Sequence, residues 1–209
     1  MERFGKHEGE VLHLPFDNID TDQIIPARYL HRPRAAGYAD QLFHDLRFDA
    51  DGAENADFPL NAPVNRHATI LVAGRNFGCG SSREQAVWAL MDYGFRVVIA
   101  PGFGDIFFNN SLKNGLLVIP LTTAEITSLT QSLSPKDTVT VDLEAQQIVS
   151  ADARTIRFEI DPYRKEALQL GASDIAMTLR EQESIERFEV LHLERYPWII
   201  PFRDAQHDV

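Results

Sequence analysis

The chain has 209 residues, of which 44% are hydrophobic, and its formal net charge at pH 7 is −11. A chain of this length can bury a full core as one domain. The excess of acidic residues excludes nucleic acid as a general partner, because phosphate would be repelled. No apolar run approaches the roughly 20 residues of a membrane span, and the first residues contain no apolar signal core. The sequence therefore predicts a cytoplasmic protein with no membrane partner.

The first third of the chain predicts one strand and much irregular structure. Residues 10–15 are typical of a strand, and the turn-forming residues after them, including Asp20-Thr21-Asp22, indicate a loop with helix-capping potential. Between about 30 and 66 the periodicity disappears, and Gly, Ala, Asp, Asn and Pro dominate. We expect a long loop insertion that packs through a few aromatic anchors, namely Tyr38, Phe43, Phe48 and Phe58.

From residue 69 onward, predicted strands and helices alternate. The pattern predicts strands at 69–73, 96–100 and 116–119, and helices at 83–93, 105–112 and 122–133, the last with threonine caps and Glu125 at N3. Such alternation favours a parallel sheet. The segments 138–143, 148–150 and 155–160 then alternate with period two, which is typical of an antiparallel meander. The C-terminal segments 162–170 and 173–194 predict charged helices. The fold class is therefore α/β, with a parallel sheet followed by an antiparallel one.

Residues 74–86 contain three glycines, two serines and two arginines between a predicted strand and a predicted helix. Glycines allow close approach of a ligand and positive φ angles. A helix start directs unpaired N–H groups and the positive end of its dipole at whatever binds there. With Arg75 and Arg83 nearby, this segment predicts a pocket for a small anion, with a possible oxygen base beside it.

Other interpretations of this segment stay open at this point. Ser81 and Glu84 have the spacing of a capping box, in which Ser81 would be the N-cap. Capping and catalysis do not exclude each other, because Ser82 could cap while Ser81 points outward. The segment fits neither a P-loop, nor a dinucleotide fingerprint, nor a nucleophile elbow. The residues alone are compatible with two classes of function: an enzyme half-site and a non-catalytic anion-binding module.

Cys79 is the only cysteine, and the seven histidines show no metal-type spacing. An intrachain disulfide, a cysteine-ligated iron–sulfur cluster and a zinc ribbon are excluded. We therefore expect no metal ligands on this chain. Cys79 could be a nucleophile beside a helix start, but a packed or loop thiol is favoured, since no histidine lies near it in the sequence.

Residues 17–26 and 76–84 together resemble the motifs of the small subunit of 3-isopropylmalate dehydratases, a family of the aconitase superfamily. The similarity covers nearly the whole chain in the expected order, and includes the segments 42–48, 88–95, 97–101, 105–107 and 141–146. The resemblance implies one swivelling β/β/α domain over residues 1–209, with three layers, a central parallel sheet and a second antiparallel sheet.

The resemblance also implies a reaction and a partner. The reaction is the isomerisation of 2-isopropylmalate, a small dicarboxylate, to 3-isopropylmalate by dehydration and rehydration in leucine biosynthesis. The implied partner is a large subunit that forms a heterodimer with this chain and holds a [4Fe–4S] cluster on three cysteines. Its open iron would act as a Lewis acid. Related citraconate-type and homoaconitate-type hydro-lyases share these motifs and stay open as alternatives.

Residue roles follow from the same resemblance. Ser81 is implied to be the base that takes a C–H proton, Asp22 an active-site carboxylate, and Arg83 a group that stabilises the base. Substrate contacts are implied for Ser82, Arg83, Arg28, Gly80 and Arg75, of which Arg28 is the weaker candidate.

The sequence departs from the family at Gln85, where histidine is usual. Glutamine cannot carry a proton near neutral pH. We favour a supporting role for this position, because a residue two beyond Arg83 in a helix points away from Ser81.

Overall fold

The computed structural model describes residues 1–131, 133–134 and 136–199. The chain divides into two compact units, one formed by residues 1–171 and the other beginning at residue 172. The first unit contains the whole sheet and both sequence motifs.

Seven strands form one mixed sheet in the first unit. They are β1 (Lys6–Leu14), β2 (Ile70–Ala73), β3 (Val97–Ala100), β4 (Leu117–Pro120), β5 (Thr138–Asp142), β6 (Gln147–Val149) and β7 (Thr155–Arg157), in the order β4-β3-β2-β1-β5-β6-β7. Strands β1 to β4 pair in parallel, whereas β5 to β7 pair antiparallel. The α/β class and the change from parallel to antiparallel strands are confirmed.

Strand β1 joins the two parts of the sheet. Its residues 11–14 pair in parallel with β2, and its residues 6–10 pair antiparallel with β5. The strand begins four residues before the predicted start at residue 10, because Lys6 to Gly9 gain their ladder partners from β5, far away in sequence. The antiparallel strands do not form the second, separate sheet that was predicted, because β5 pairs with β1 and continues the same sheet. The three-layer arrangement itself stays a prediction.

The described residues of this unit form six α-helices: α1 (Thr21–Ile24), α2 (His44–Arg47), α3 (Glu84–Tyr93), α4 (Asp105–Asn114), α5 (Thr123–Gln131) and α6 (Pro162–Leu170). Thr122 caps α5, because the Glu125 amide donates to its hydroxyl over 3.3 Å and the Thr122 amide donates to the Glu125 carboxylate over 2.8 Å. The predicted cap is therefore confirmed. All residues of β2 and β3 are buried, as expected of parallel strands covered on both faces.

The segment from 30 to 66 forms α2 and four one-turn 3-10 helices, at Arg34–Ala36, Ala39–Gln41, Pro59–Asn61 and Pro63–Asn65. Three of its predicted anchors, Tyr38, Phe43 and Phe58, are buried in the core, whereas Phe48 is only half-buried. The segment is thus anchored as expected, but it contains more regular turns than its composition predicted.

The second unit contains α7 (Asp174–Leu179), α8 (Gln182–Arg195) and a 3-10 turn at Pro197–Ile199. The helical stretch predicted at 173–194 is interrupted at residues 180–181. Ser173 caps α7 by accepting a hydrogen bond from the Ala176 amide over 3.2 Å. Among the residues that the structure describes, no helix is long and apolar enough to cross a membrane.

Candidate active site

The two sequence motifs meet at one edge of the sheet. Strands β1 and β2 are parallel neighbours, and β1 ends at Leu14 while β2 ends at Ala73. The loops that follow them therefore leave the same edge, which is where open α/β sheets bind their ligands. We call residues 15–20 the first loop and residues 74–83 the glycine-rich loop.

Backbone hydrogen bonds join these two loops along their length. The amide of Asn18 donates to the carbonyl of Arg75 over 2.7 Å, and the amide of Gly78 donates to the carbonyl of Ile19 over 2.7 Å. Asp20 and Cys79 then form a parallel bridge. The glycine-rich loop is thus held like a short extra strand, although its sequence contains no strand pattern.

A third loop holds the glycine-rich loop from its other side. The Phe77 amide donates to the Gly102 carbonyl over 3.0 Å, and the Gly104 amide donates to the Phe77 carbonyl over 2.9 Å. Phe77 is fully buried and packs edge-on against Phe107, with ring centroids 5.4 Å apart. The backbone is therefore fixed on both sides before the chain reaches the serines.

The glycines of the loop are required mainly by contacts within the protein. A Cβ atom on Gly78 would lie 2.2 Å from Phe107, and one on Gly74 would lie 2.4 Å from the carbonyl oxygen of Phe16. Gly80 is different, because it is exposed and has a φ of 89° with no atom within 3.4 Å of a built Cβ. Of the three glycines that we expected to admit a ligand, Gly80 is the one that leaves open space.

The capping interpretation of Ser81 is wrong. Helix α3 begins at Glu84, its N-cap is Arg83, and no side chain caps it. The Glu84 carboxylate does not reach back to Ser81 but accepts a hydrogen bond from Asn114 over 2.7 Å. The helix starts three residues after Ser81 because residues 79–81 are already bonded to the first loop and α1.

Ser81 and Ser82 are both exposed, and their hydroxyls form no hydrogen bond within the described residues. The Ser81 carbonyl, in contrast, accepts a hydrogen bond of 2.7 Å from the Thr21 hydroxyl. The structure thus fixes the main chain of Ser81 and leaves its side chain available.

Arg83 lies beside these serines and forms an ion pair with Asp22. The Arg83 side chain is only 14% exposed, and its Nη1 atom is buried without a well-directed hydrogen bond. The contact with Asp22 is therefore an ion pair and not a directed hydrogen bond. A guanidinium in this state keeps donor capacity for a second anion. The structure therefore brings Ser81, Ser82, Arg83 and Asp22 together, as the motifs implied.

Arg75 and Arg28 are each neutralised by an aspartate. Arg75 donates to Asp17 from its backbone amide over 2.7 Å, and from Nε and Nη2 over 3.0 and 2.7 Å. These bonds lower the pKa of Asp17 below its ordinary value and raise that of Arg75. Arg28 is paired with Asp45, whose pKa it lowers.

Arg75 and Arg28 do not belong to the group formed by Ser81, Ser82, Arg83 and Asp22. No hydrogen bond or ion pair in the described part of the chain joins Arg28 or Arg75 to Ser81, Ser82 or Asp22. Arg75 instead lines a cavity of about 450 Å³ between the carboxyl ends of β1–β3 and α5, together with His13, Asp17 and Thr127. Burial lowers the pKa of His13 there.

The chain does not fit the ligand set of an iron–sulfur cluster. Its single thiol, on Cys79, donates to the Asn18 carbonyl over 3.6 Å. No group of three His, Cys, Asp or Glu side chains within the described residues could hold a metal ion.

Sequence reasoning named the turn Asp20-Thr21-Asp22 and expected capping there, but it gave no role to Thr21. Asp20 indeed caps α1, and forms a capping box with Gln23. The Asp-x-x-Gln spacing was the signal for that cap. No local signal marked the Thr21 hydroxyl, since its partner lies 60 residues away.

Comparison with known proteins first defines a class. The family model described as Aconitase C-terminal domain matches residues 1–125, and LeuD_N matches residues 132–162. A third model, for the C-terminal domain of the 3-isopropylmalate dehydratase small subunit, matches residues 174–202. The site thus lies in a domain of the aconitase class.

Individual relatives identify a family within that class. The 3-isopropylmalate dehydratase small subunit of Rhodospirillum centenum is 50% identical over 96% of this chain and 100% of its own length. That of Halalkalibacterium halodurans is 51% identical over 90% and 98%. A crystal structure of 3-isopropylmalate dehydratase from Methanocaldococcus jannaschii matches with a TM-score of 0.63 and 30% identity, covering 87% of this chain and 99% of that one. The chain belongs to the family of 3-isopropylmalate dehydratase small subunits.

Proposed function

We propose that this chain supplies the proton-transfer half of a hydro-lyase that converts 2-isopropylmalate to 3-isopropylmalate in leucine biosynthesis. One observation carries the proposal: the exposed, unpaired Ser81 hydroxyl stands on a residue whose carbonyl is held by Thr21, two residues before the arginine of the Arg83–Asp22 pair. The names of its relatives support the substrate. A related dicarboxylate with another side group is the second candidate.

In the proposed first step, the anion of Ser81 removes a proton from the carbon next to the one that bears the hydroxyl group. The electron pair of the C–H bond forms the carbon–carbon double bond, and the hydroxyl group departs as hydroxide. In rehydration, hydroxide adds to the carbon that lost the proton, and Ser81 returns its proton to the carbon that had borne the hydroxyl group. General base catalysis of this kind requires Ser81 Oγ within hydrogen-bond reach of the C–H proton.

A serine hydroxyl is a poor base unless its anion is stabilised. Arg83 lies two residues after Ser81 and is held by its ion pair with Asp22, and its burial strengthens its interaction with a neighbouring negative charge. We propose that Arg83 stabilises the Ser81 anion and also binds one substrate carboxylate, while Asp22 keeps the guanidinium oriented. Gly80 and Ser82 would contact the same carboxylate through the open face of the loop.

Arg75 and Arg28 have a more limited proposed role. Each is already paired with an aspartate in the described structure, so a substrate carboxylate would have to share it. Arg28 is half exposed, so it remains available to a larger assembly. We expect both to influence substrate binding more than turnover.

The exposed position of Ser81 supports an assembly with a second protein. A proton-transfer site needs exclusion of water, and here the serines face solvent. We propose that this edge is covered, in a heterodimer, by a large subunit that holds the [4Fe–4S] cluster, which would supply Lewis-acid assistance to the departing hydroxyl group. The three-layer swivelling arrangement and a cytoplasmic location are part of the same proposal.

The test uses the chain assembled with its large subunit and 2-isopropylmalate as substrate. We expect Ser81→Ala to lower kcat by roughly 10²–10⁴-fold, because a general base is lost. Its melting temperature should stay unchanged, because Ser81 caps no helix. Ser82→Ala is the matched control, since it removes a neighbouring exposed hydroxyl, and its loss of turnover should be much smaller.

The same preparation tests the need for a partner. The purified chain alone should be colourless and inactive. Turnover by the isolated chain, or near wild-type kcat in the assembled Ser81→Ala variant, would refute the proposed role of Ser81 in a shared site.

A further inference from the structure

The first turn of α1 holds the glycine-rich loop at three alternate residues, Cys79, Ser81 and Arg83. The backbone amide of Thr21 donates to the carbonyl of Cys79 over 3.0 Å, and its hydroxyl donates to the carbonyl of Ser81 over 2.7 Å. The next residue, Asp22, forms the ion pair with Arg83. One residue thus binds the carbonyls on both sides of Gly80.

The burial of Thr21 makes this arrangement rigid. Thr21 is 2% exposed, so water does not compete for its hydroxyl. Its backbone is fixed by the capping box of Asp20 and Gln23, and by the Ile25 amide, which donates to the Thr21 carbonyl over 3.0 Å. The hydroxyl therefore meets the Ser81 carbonyl from a position that the rest of α1 determines.

The Ser81 carbonyl belongs to the peptide unit that follows the Ser81 Cα atom. Holding it in one direction fixes the ψ angle of Ser81, and with it the direction of the Cα–Cβ bond relative to the rest of the loop. Gly80, which precedes Ser81, has a φ of 89° and the most conformational freedom of any residue type. Without the Thr21 hydroxyl, the serine would follow a flexible glycine with a free carbonyl.

We propose that Thr21 is a positioning residue that acts through Ser81, by holding the carbonyl of Ser81 so that its exposed Oγ points at the reacting carbon. Thr21 touches neither the substrate nor the reacting atoms. This inference rests on the proposed role of Ser81 as the base. A displacement of about 1 Å at a reacting group can lower the rate by about 10²-fold.

The experiment compares Thr21→Val with Thr21→Ser in the complex with the large subunit. Valine keeps the shape of threonine and lacks the hydroxyl, whereas serine keeps the hydroxyl. We expect Thr21→Val to lower kcat by roughly 10–100-fold with KM changed less than about threefold, because the substrate carboxylate contacts remain. Thr21→Ser should retain kcat within about threefold. Should Thr21→Val not assemble, Thr21→Ala against Thr21→Ser isolates the same hydroxyl.

The double variant Thr21→Val/Ser81→Ala separates this inference from the proposed function. Residues that act as a unit are not additive, so the double variant should be no slower than Ser81→Ala alone. A Thr21→Val enzyme with wild-type kcat and a lower melting temperature would overturn the positioning role while leaving Ser81 as base. Full activity of Ser81→Ala would overturn the base, and the positioning role with it. A further loss in the double variant would show that Thr21 acts by another route.

Discussion

The close contact between Gly78 and Phe107 predicts a large loss of stability in Gly78→Ala. A Cβ atom at this position would lie 2.2, 2.6 and 2.7 Å from three atoms of the Phe107 side chain. Phe107 is 2% exposed and packs against Phe77 and Phe103, so its ring cannot swing aside into solvent.

Two separate costs contribute to the expected loss. Gly78 has a φ of 71°, and the left-handed conformation costs about 1–2 kcal/mol for alanine. Inserting a methyl group into a packed site costs typically about 1–3 kcal/mol more. The free energy of unfolding should therefore fall by about 2–5 kcal/mol. For a protein of this size, that corresponds to a decrease of roughly 4–20 °C in melting temperature.

Two other glycines provide matched controls. Gly52 has a φ of 80° but no atom within 4 Å of a built Cβ, so Gly52→Ala should show the backbone cost alone. Gly102 has neither a φ in that range nor a neighbour within 4 Å, so Gly102→Ala should be nearly neutral. The measurement is thermal unfolding of the three variants by circular dichroism. Equal melting temperatures for Gly78→Ala and Gly52→Ala would refute the steric part of the reasoning.

Two further predictions concern the first third of the chain. Residues 30–66 should exchange their amide hydrogens faster than β3 in the unpartnered chain, because their hydrogen bonds are local turns, and equally slow exchange would contradict this. Asp17→Asn should lower the melting temperature near neutral pH, where Asp17 is charged and bonded to Arg75. Because Arg75 holds the Asp17 pKa below its ordinary value of 3.8, the contribution of the carboxylate to stability is complete above about pH 4 and is lost as the pH falls through the lower, folded value. A melting difference between wild type and Asp17→Asn that stays constant from pH 7 to pH 2 would contradict the assignment.

Much of the fold could be predicted from the sequence because it depends on local periodicity. The central strands are short apolar runs, and α3, α4 and α5 begin within a residue of their predicted starts. The α5 cap at Thr122 was visible because both partners lie within one helical turn. The motifs around residues 17–26 and 76–84 also indicate the family by themselves, because each is a contiguous run of residues.

The arrangement of the site depended on contacts that are distant in sequence. The spacing of Ser81 and Glu84 is that of a capping box, yet α1 holds the carbonyls of Cys79 and Ser81, and Arg83 is still extended, so the helix begins only at Glu84. The tendency of Ser81 to cap a helix is outweighed by these tertiary contacts, since a cap contributes only about 1 kcal/mol.

The pairing of charged side chains likewise depended on the tertiary structure. Composition and loop sequence showed two arginines near three glycines, and predicted a positive pocket. Only the meeting of the loops after β1 and β2 places Asp17 on Arg75 and Asp22 on Arg83. The sequence by itself determined which residue types stand at the carboxyl edge of the sheet. The parallel pairing of two strands almost 60 residues apart decided which of them touch. That pairing brings the carboxylates that follow β1, in the first loop and in α1, within reach of the guanidinium groups of the glycine-rich loop.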